Sequence, residues 1–302
     1  MTQPEAKTVP AQARAASLWR LLSCIRIDEV CVLQGAPMIG ACFAMADFSA
    51  STFFTIAALV AGNLLLVAHV FVLNDWSGVH GDLEDPHRAT RTYLAKGENS
   101  ARMGGLALTL LAFSLLVFGL VSRVSFAIAL IIAAFSAIYS FPGIHGKGVP
   151  LLNSLLHFFG GALHFLLGYA ALSSISPHSV AVGCYFGLVF AAGHLTHETR
   201  DYDGDLRNGI RTNAVAFGQK RTFLAGLFLF SSAYMLLTVL ALLGLVPREL
   251  SLAIVLYAIH LHASWRALRD GLTYAGVRRL QTVYRNIHVV LGLAMLAAVP
   301  PW

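Results

Sequence analysis

Two short segments of the chain carry carboxylates at helical spacing. The first, NDWSGVHGD over 74–82, places Asp75 and Asp82 at i and i+7. The second, HETRDYDGDLRNG over 197–209, places Asp201 and Asp205 at i and i+4, with Glu198 and Asp203 beside them. If helices run through these segments, each pair lies on one face. Like charges held that close repel unless a cation neutralises them. Hard oxygen donors suit Mg²⁺, which binds few protein carboxylates and keeps room for phosphate oxygens. Basic residues accompany both segments: Arg88 and Arg91 after the first, Arg200 inside the second. Their guanidinium forks match phosphate geometry. One mixed-charge loop is ordinarily a solvated one. Two such segments, each with turn-spaced aspartates and arginines, point instead to a metal-assisted site for a phosphorylated substrate.

The rest of the chain must position these residues in a membrane. Of 302 residues, 57% are hydrophobic and 12% charged, about half the charge of a soluble domain. Apolar runs long enough to cross a bilayer fall near 30–48, 53–73, 103–121, 124–141, 151–172, 179–196, 222–245, 249–265 and 284–299. The expectation is an all-α polytopic membrane protein, nine transmembrane helices bundled around a central cavity. The first twenty residues lack the apolar core of a signal peptide and read as a short cytoplasmic tail. Residues 1–27 are then a tail and interfacial start, and 28–302 one transmembrane domain. With the N-terminus inside, of the loop basic residues only Arg123 and Arg248 fall outside, so the positive-inside rule puts both acidic segments on the cytoplasmic side. The net charge of +6 then reports cytoplasmic loops rather than a nucleic-acid partner. The four cysteines, Cys24, Cys31, Cys42 and Cys184, have no CxxC spacing and read as small buried hydrophobes.

The motifs, taken together and in order, resemble the UbiA superfamily of intramembrane prenyltransferases. The family's first motif, Asn-Asp-x-x-Asp-x-x-x-Asp with a later Arg and Gly, is matched by Asn74, Asp75, Asp82, Arg91 and Gly97. Its Tyr-Ser-x-Pro element with a following Lys is matched by Tyr139, Ser140, Pro142 and Lys147. Its second motif is matched by Asp201, Asp205, Gly209, Thr212 and Gly218. Nine spans is the family's number. The chain departs from the pattern at Gly78, where the middle aspartate of the first motif belongs, at Arg91-Thr92 in place of Arg-Pro, and at His197, often an amide-bearing residue.

The resemblance implies transfer of an isoprenyl or polyprenyl group from an allylic diphosphate to a small hydrophobic or aromatic acceptor. It implies two Mg²⁺ ions, one on Asn74, Asp75 and Asp82 and the other on Asp201 and Asp205. Arg88, Arg91, Lys147 and Arg200 would bind the diphosphate, and Tyr139 would orient the diphosphate or the reacting carbon. An intramembrane terpene cyclase uses the same ionisation, and sequence does not separate the two. A relative that transfers phosphoribosyl to a lipid phosphate fits the motif pairing less well. A transporter would place charges at mid-membrane, whereas these acids cluster at span ends; a non-catalytic relative would have little use for four retained aspartates. His194 and His197 beside Glu198 are not an HExxH zinc site and read as pocket wall or acceptor contacts. His157, His164 and His69 are membrane-embedded polar groups, functional candidates by position. The absence of a transit peptide favours a bacterial inner membrane.

Overall fold

The computed structural model describes residues 11–84, 89–141 and 143–297. Among them there are twelve α-helices and no strand. Three short helices, α1 (Ala11–Leu22), α2 (Ile27–Val32) and α3 (Gly35–Ala44), lead into α4 (Ala50–Glu84). Then come α5 (Ser100–Val121), α6 (Arg123–Ser140), α7 (Leu152–Leu172), α8 (Pro177–Arg207) and the one-turn α9 (Asn213–Phe217). The chain closes with α10 (Gln219–Leu242), α11 (Ala253–Arg269) and α12 (Tyr274–Ala297).

Seven stretches are long and apolar enough to cross a membrane: Ile27–Ala44, α4, α5, α6, α7, α8 and α10. The eighth and ninth expected spans fall on α11, only 17 residues long, and on α12, whose first half carries Arg278, Arg279 and Arg285. α4 and α8 have 35 and 31 residues. At 1.5 Å per residue they run to about 52 and 46 Å, well beyond a 30 Å hydrocarbon core. Their surplus turns, at the C-terminal ends, are the two acidic segments.

Local chemistry sets where the spans begin. Asn99 accepts a hydrogen bond from the Arg102 N–H to cap α5, and Ser122 accepts from the Ser125 N–H to cap α6. Ser176 and Ser179 form a reciprocal capping box on α8, with Pro177 following the cap. Within the bundle, glycine lets backbones meet. A Cβ on Gly168 of α7 would stand 1.8 Å from the Pro37 carbonyl oxygen of α3, and one on Gly40 of α3 2.1 Å from that of Phe165. The α7–α8 seam repeats the device: Gly161 lies against the Phe186 carbonyl and Gly187 against that of Phe158. Apolar burial drives little association in lipid, so close approach of small residues does much of that work. One hydrophobic core joins α3–α8 and α10–α12; a smaller one, including Cys24, Val30, Val72, Val79, Tyr93 and Met103, binds the N-terminal segment to α4 and α5.

Candidate functional site

α4 continues as unbroken helix through Asn74, Asp75 and Asp82, so the two aspartates do share a face, two turns apart. α8 does the same for Asp201 and Asp205, one turn apart, and Asp205 is buried. The two acidic ends are tied to each other: Asn208, the residue after α8, donates from Nδ2 to the Gly81 carbonyl of α4 at 3.2 Å. Residues more than a hundred positions apart thus border one site.

Each leading aspartate is held by an arginine fork. Arg200 donates from Nε to Asp201 Oδ1 at 2.7 Å and from Nη2 to Oδ2 at 2.8 Å. Its remaining nitrogen, Nη1, reaches Gln281 of α12 at 2.8 Å, and its guanidinium lies over the Tyr274 ring. Arg200, expected on the diphosphate, is therefore braced between Asp201 and α12. Asp75 accepts from Arg26 Nε at 3.0 Å and, on its other oxygen, from Arg26 Nη2. Burial alone would lower the Arg26 pKa, but Asp75, with Glu29 and Asp82, more than offsets it and holds the guanidinium above the ordinary arginine value. Sequence reading assigned Arg26 only to the cytoplasmic tail.

A buried polar hub links the second acidic segment to Lys147. Asn153 of α7 donates from Nδ2 to Glu198 Oε1 at 2.5 Å and to the Lys147 carbonyl at 3.1 Å. Asn213 of α9 donates to Glu198 Oε1 at 3.2 Å and to Asn153 Oδ1 at 2.8 Å, while its own oxygen accepts from the Leu151 N–H at 2.8 Å. Glu198 is 4% exposed, so these donors are what make its burial tolerable. Lys147 sits in the short turn Gly146–Gly148, half-buried.

Above the hub lie three rings. His157 and His194 stack with centroids 3.6 Å apart, and Tyr139, at the end of α6, meets them edge-on at 5.2 and 6.2 Å. His157 Nδ1 faces the Asn153 carbonyl at 2.7 Å and must donate to it, and His194 Nε2 lies 3.0 Å from Glu198. The expectation of a pocket wall for His194 acquires neighbours here. His197 instead meets Arg285 of α12. His69 and His164 point to backbone carbonyls, of Ala107 and Gly160. Sequence reading also missed an aromatic cluster of Phe230, Tyr234, His260, Tyr284 and His288 between α10, α11 and α12.

Of the remaining expected residues, Arg91 is exposed in the turn Ala89–Arg91. Arg88 and Pro142 lie outside the described residues. Gly209 and Gly218 have φ of +64° and +94°, left-handed backbone that favours glycine; they carry the chain from α8 through α9 into α10.

The two halves of the site are unequal as metal sites. Among the described residues no three or more His, Cys, Asp or Glu groups converge as a ready-made nest. Asp201 and Asp205 stand one turn apart, with both Asp201 oxygens engaged by Arg200. The first half lacks the carboxylate at Gly78 and has Arg26 on Asp75.

A polytopic helical protein with two acidic helix ends meeting at one membrane face is the architecture of an intramembrane prenyltransferase. The UbiA prenyltransferase family model matches residues 35–275, and the chain belongs to that family. A 4-hydroxybenzoate octaprenyltransferase from Pectobacterium atrosepticum is 28% identical over 206 residues, 66% of this chain and 69% of that one. The fold is shared with a UbiA homologue from Archaeoglobus fulgidus bound to GPP and Mg²⁺, at TM-score 0.73, 15% identity and 92% and 99% coverage of the two chains. A UbiA homologue from Aeropyrum pernix K1 superposes at TM-score 0.73 with 17% identity, covering 90% of this chain and 98% of that one.

Proposed function

We propose that the protein transfers an isoprenyl or polyprenyl group from an allylic diphosphate to a small aromatic acceptor, with Mg²⁺, at the cytoplasmic face of a bacterial inner membrane. The observation that carries this reading is the meeting of the α4 and α8 acidic ends, joined by Asn208 and Gly81, at the rim of an apolar bundle. Membership in the family and the GPP- and Mg²⁺-bound neighbour support it. The octaprenyltransferase relative supports an aromatic acceptor.

The residues divide the work. Asp201 and Asp205 would hold one Mg²⁺ ion, and Asn74, Asp75 and Asp82 the other. Mg²⁺, when bound, neutralises the leaving diphosphate and so favours rupture of the allylic C–O bond. Lys147, Arg91 and Arg88 bind diphosphate oxygens. Arg200 keeps Asp201 oriented. The C–O electron pair leaves with the diphosphate; an acceptor carbon or oxygen attacks the allylic carbon and then gives up its proton. Tyr139, with His157 and His194 behind it, presents ring faces to the reacting carbon, where π-electrons stabilise positive charge. The helices exclude water that would otherwise quench the cation. Two further spans, α11 and α12, complete the nine of the domain 28–302.

The test is product analysis. Purified protein receives allylic diphosphates of several chain lengths with 4-hydroxybenzoate and other small aromatic acids, with and without Mg²⁺. A Mg²⁺-dependent prenylated acceptor supports the transferase reading. Diphosphate release with a cyclised hydrocarbon in the absence of acceptor would instead show a terpene cyclase.

A further inference from the structure

Prenyl transfer to an aromatic carbon leaves one proton to be taken from that carbon. The four aspartates of the acidic segments are poor bases for it, because their charge is turned toward the ions. α8 carries another titratable pair on the same face. Positions 194, 198, 201 and 205 follow one another at helical spacing, so His194 and Glu198 lie in line with Asp201 and Asp205. Seven residues along the helix, His194 stands about 10 Å from Asp201, toward the membrane interior.

The pair is arranged differently from the other imidazoles of the spans. In His157, His164 and His288, Nδ1 faces the carbonyl four residues back, at 2.7, 2.8 and 2.7 Å. His194 has no such bond among the described residues. Its buried nitrogen is Nε2, 3.0 Å from Glu198 Oε1. Glu198 is fixed in turn by the amides of Asn153 and Asn213, and its second oxygen is buried as well. A buried carboxylate held in this way draws the Nε2–H of a neutral imidazole toward itself. The lone pair then falls on Nδ1, the less buried edge of a ring that is not fully sealed. Facing that ring are His157, stacked at 3.6 Å, and Tyr139, edge-on at 6.2 Å. Lys147 lies beyond them on the turn that Asn153 pins.

The geometry points to His194 as the base that removes the acceptor's ring proton, with Glu198 as the residue that positions it. This rests on the transfer reading given above, which sets the reacting carbon at the Tyr139, His157 and His194 rings. The allylic C–O bond breaks and its electron pair leaves with the diphosphate. A ring π-pair of the acceptor forms the new C–C bond to the allylic carbon. The Nδ1 lone pair of His194 takes the proton from the attacked ring carbon, and the C–H pair restores aromaticity. The imidazolium is paired with Glu198 and gives its proton to water as the products leave.

The experiment follows the proton. Full-length protein in detergent receives Mg²⁺, an allylic diphosphate and 4-hydroxybenzoate, either unlabelled or carrying deuterium at the ring positions beside the hydroxyl. In the wild type the proton is expected to leave quickly once the C–C bond has formed, so the two acceptors should react at equal rates. His194→Gln should lower product formation about a hundredfold, the ordinary worth of a positioned base, and should make the deuterated acceptor clearly the slower. His194→Phe, which keeps a ring in the stack, is read in parallel to separate a lost base from lost packing. Both variants should keep Mg²⁺-dependent binding of geranyl thiolodiphosphate, an unreactive donor analogue, which reports an intact donor site. Unchanged turnover, or reduced turnover with equal rates for the two acceptors, would overturn the inference and leave prenyl transfer intact. No prenylated product from the wild type with any aromatic acceptor would overturn the transfer reading and the inference together.

Discussion

Asp201 and Asp205 are one turn apart at the C-terminal end of α8, Asp205 buried and Asp201 partly so, and the chemistry asked of them is specific to an ionised carboxylate. Asp201→Asn or Asp205→Asn keeps size and hydrogen bonding but removes charge. Each is expected to lower turnover by on the order of a hundredfold or more, with melting temperature little changed, the scale seen when one electrostatic contact to a developing charge is lost. Glu198 tests a different role. Glu198→Ala strands the amide donors of Asn153 and Asn213 in a buried site, which costs about 1–3 kcal/mol. It also frees the Lys147 turn, so KM for the diphosphate should rise more than kcat falls; thermal unfolding and steady-state kinetics read the two effects apart. The four aspartates were legible because charge at turn spacing is conspicuous in an apolar chain. Arg26 was not: its meaning lies in a contact across 49 residues, and one more arginine near an N-terminus looks like a topology signal. The Asn153–Asn213–Glu198 hub was hidden for the same reason, since neutral amides have no periodicity.

At the scale of helices, hydropathy located seven membrane-crossing stretches, and α4 and α8 run on through the acidic segments, the condition on which the shared faces of the aspartates depended. The last two spans are harder to read because α11 is short and α12 begins with arginines and polar residues. Which glycines matter was also illegible. Gly160 and Gly168 sit on the same helix, yet a Cβ at 160 meets nothing within 4 Å and one at 168 strikes the Pro37 carbonyl. Gly168→Ala should therefore destabilise the α3–α7 contact by about 1–3 kcal/mol, the ordinary cost of overpacking. Gly160→Ala should be neutral or slightly stabilising. Thermal shift in the same detergent compares them.

For the molecule as a whole, the account requires the acidic ends, the Lys147 turn and the N-terminal segment to share the cytoplasmic face. Arg207 follows the second aspartate pair at one end of α8, and Ser174 precedes the helix at the other. In a background without the native cysteines, Arg207→Cys should resist a membrane-impermeant maleimide in intact spheroplasts and react after lysis, whereas Ser174→Cys should react in both. The reverse pattern would invert the topology. The most direct test of the central claim is release of inorganic diphosphate from allylic diphosphates by purified protein, in the presence of an aromatic acid acceptor. The account predicts release that requires Mg²⁺ and disappears in Asp75→Ala and Asp201→Ala. Release that persists in both variants, or no release and no Mg²⁺-dependent binding of any prenyl diphosphate, would contradict it.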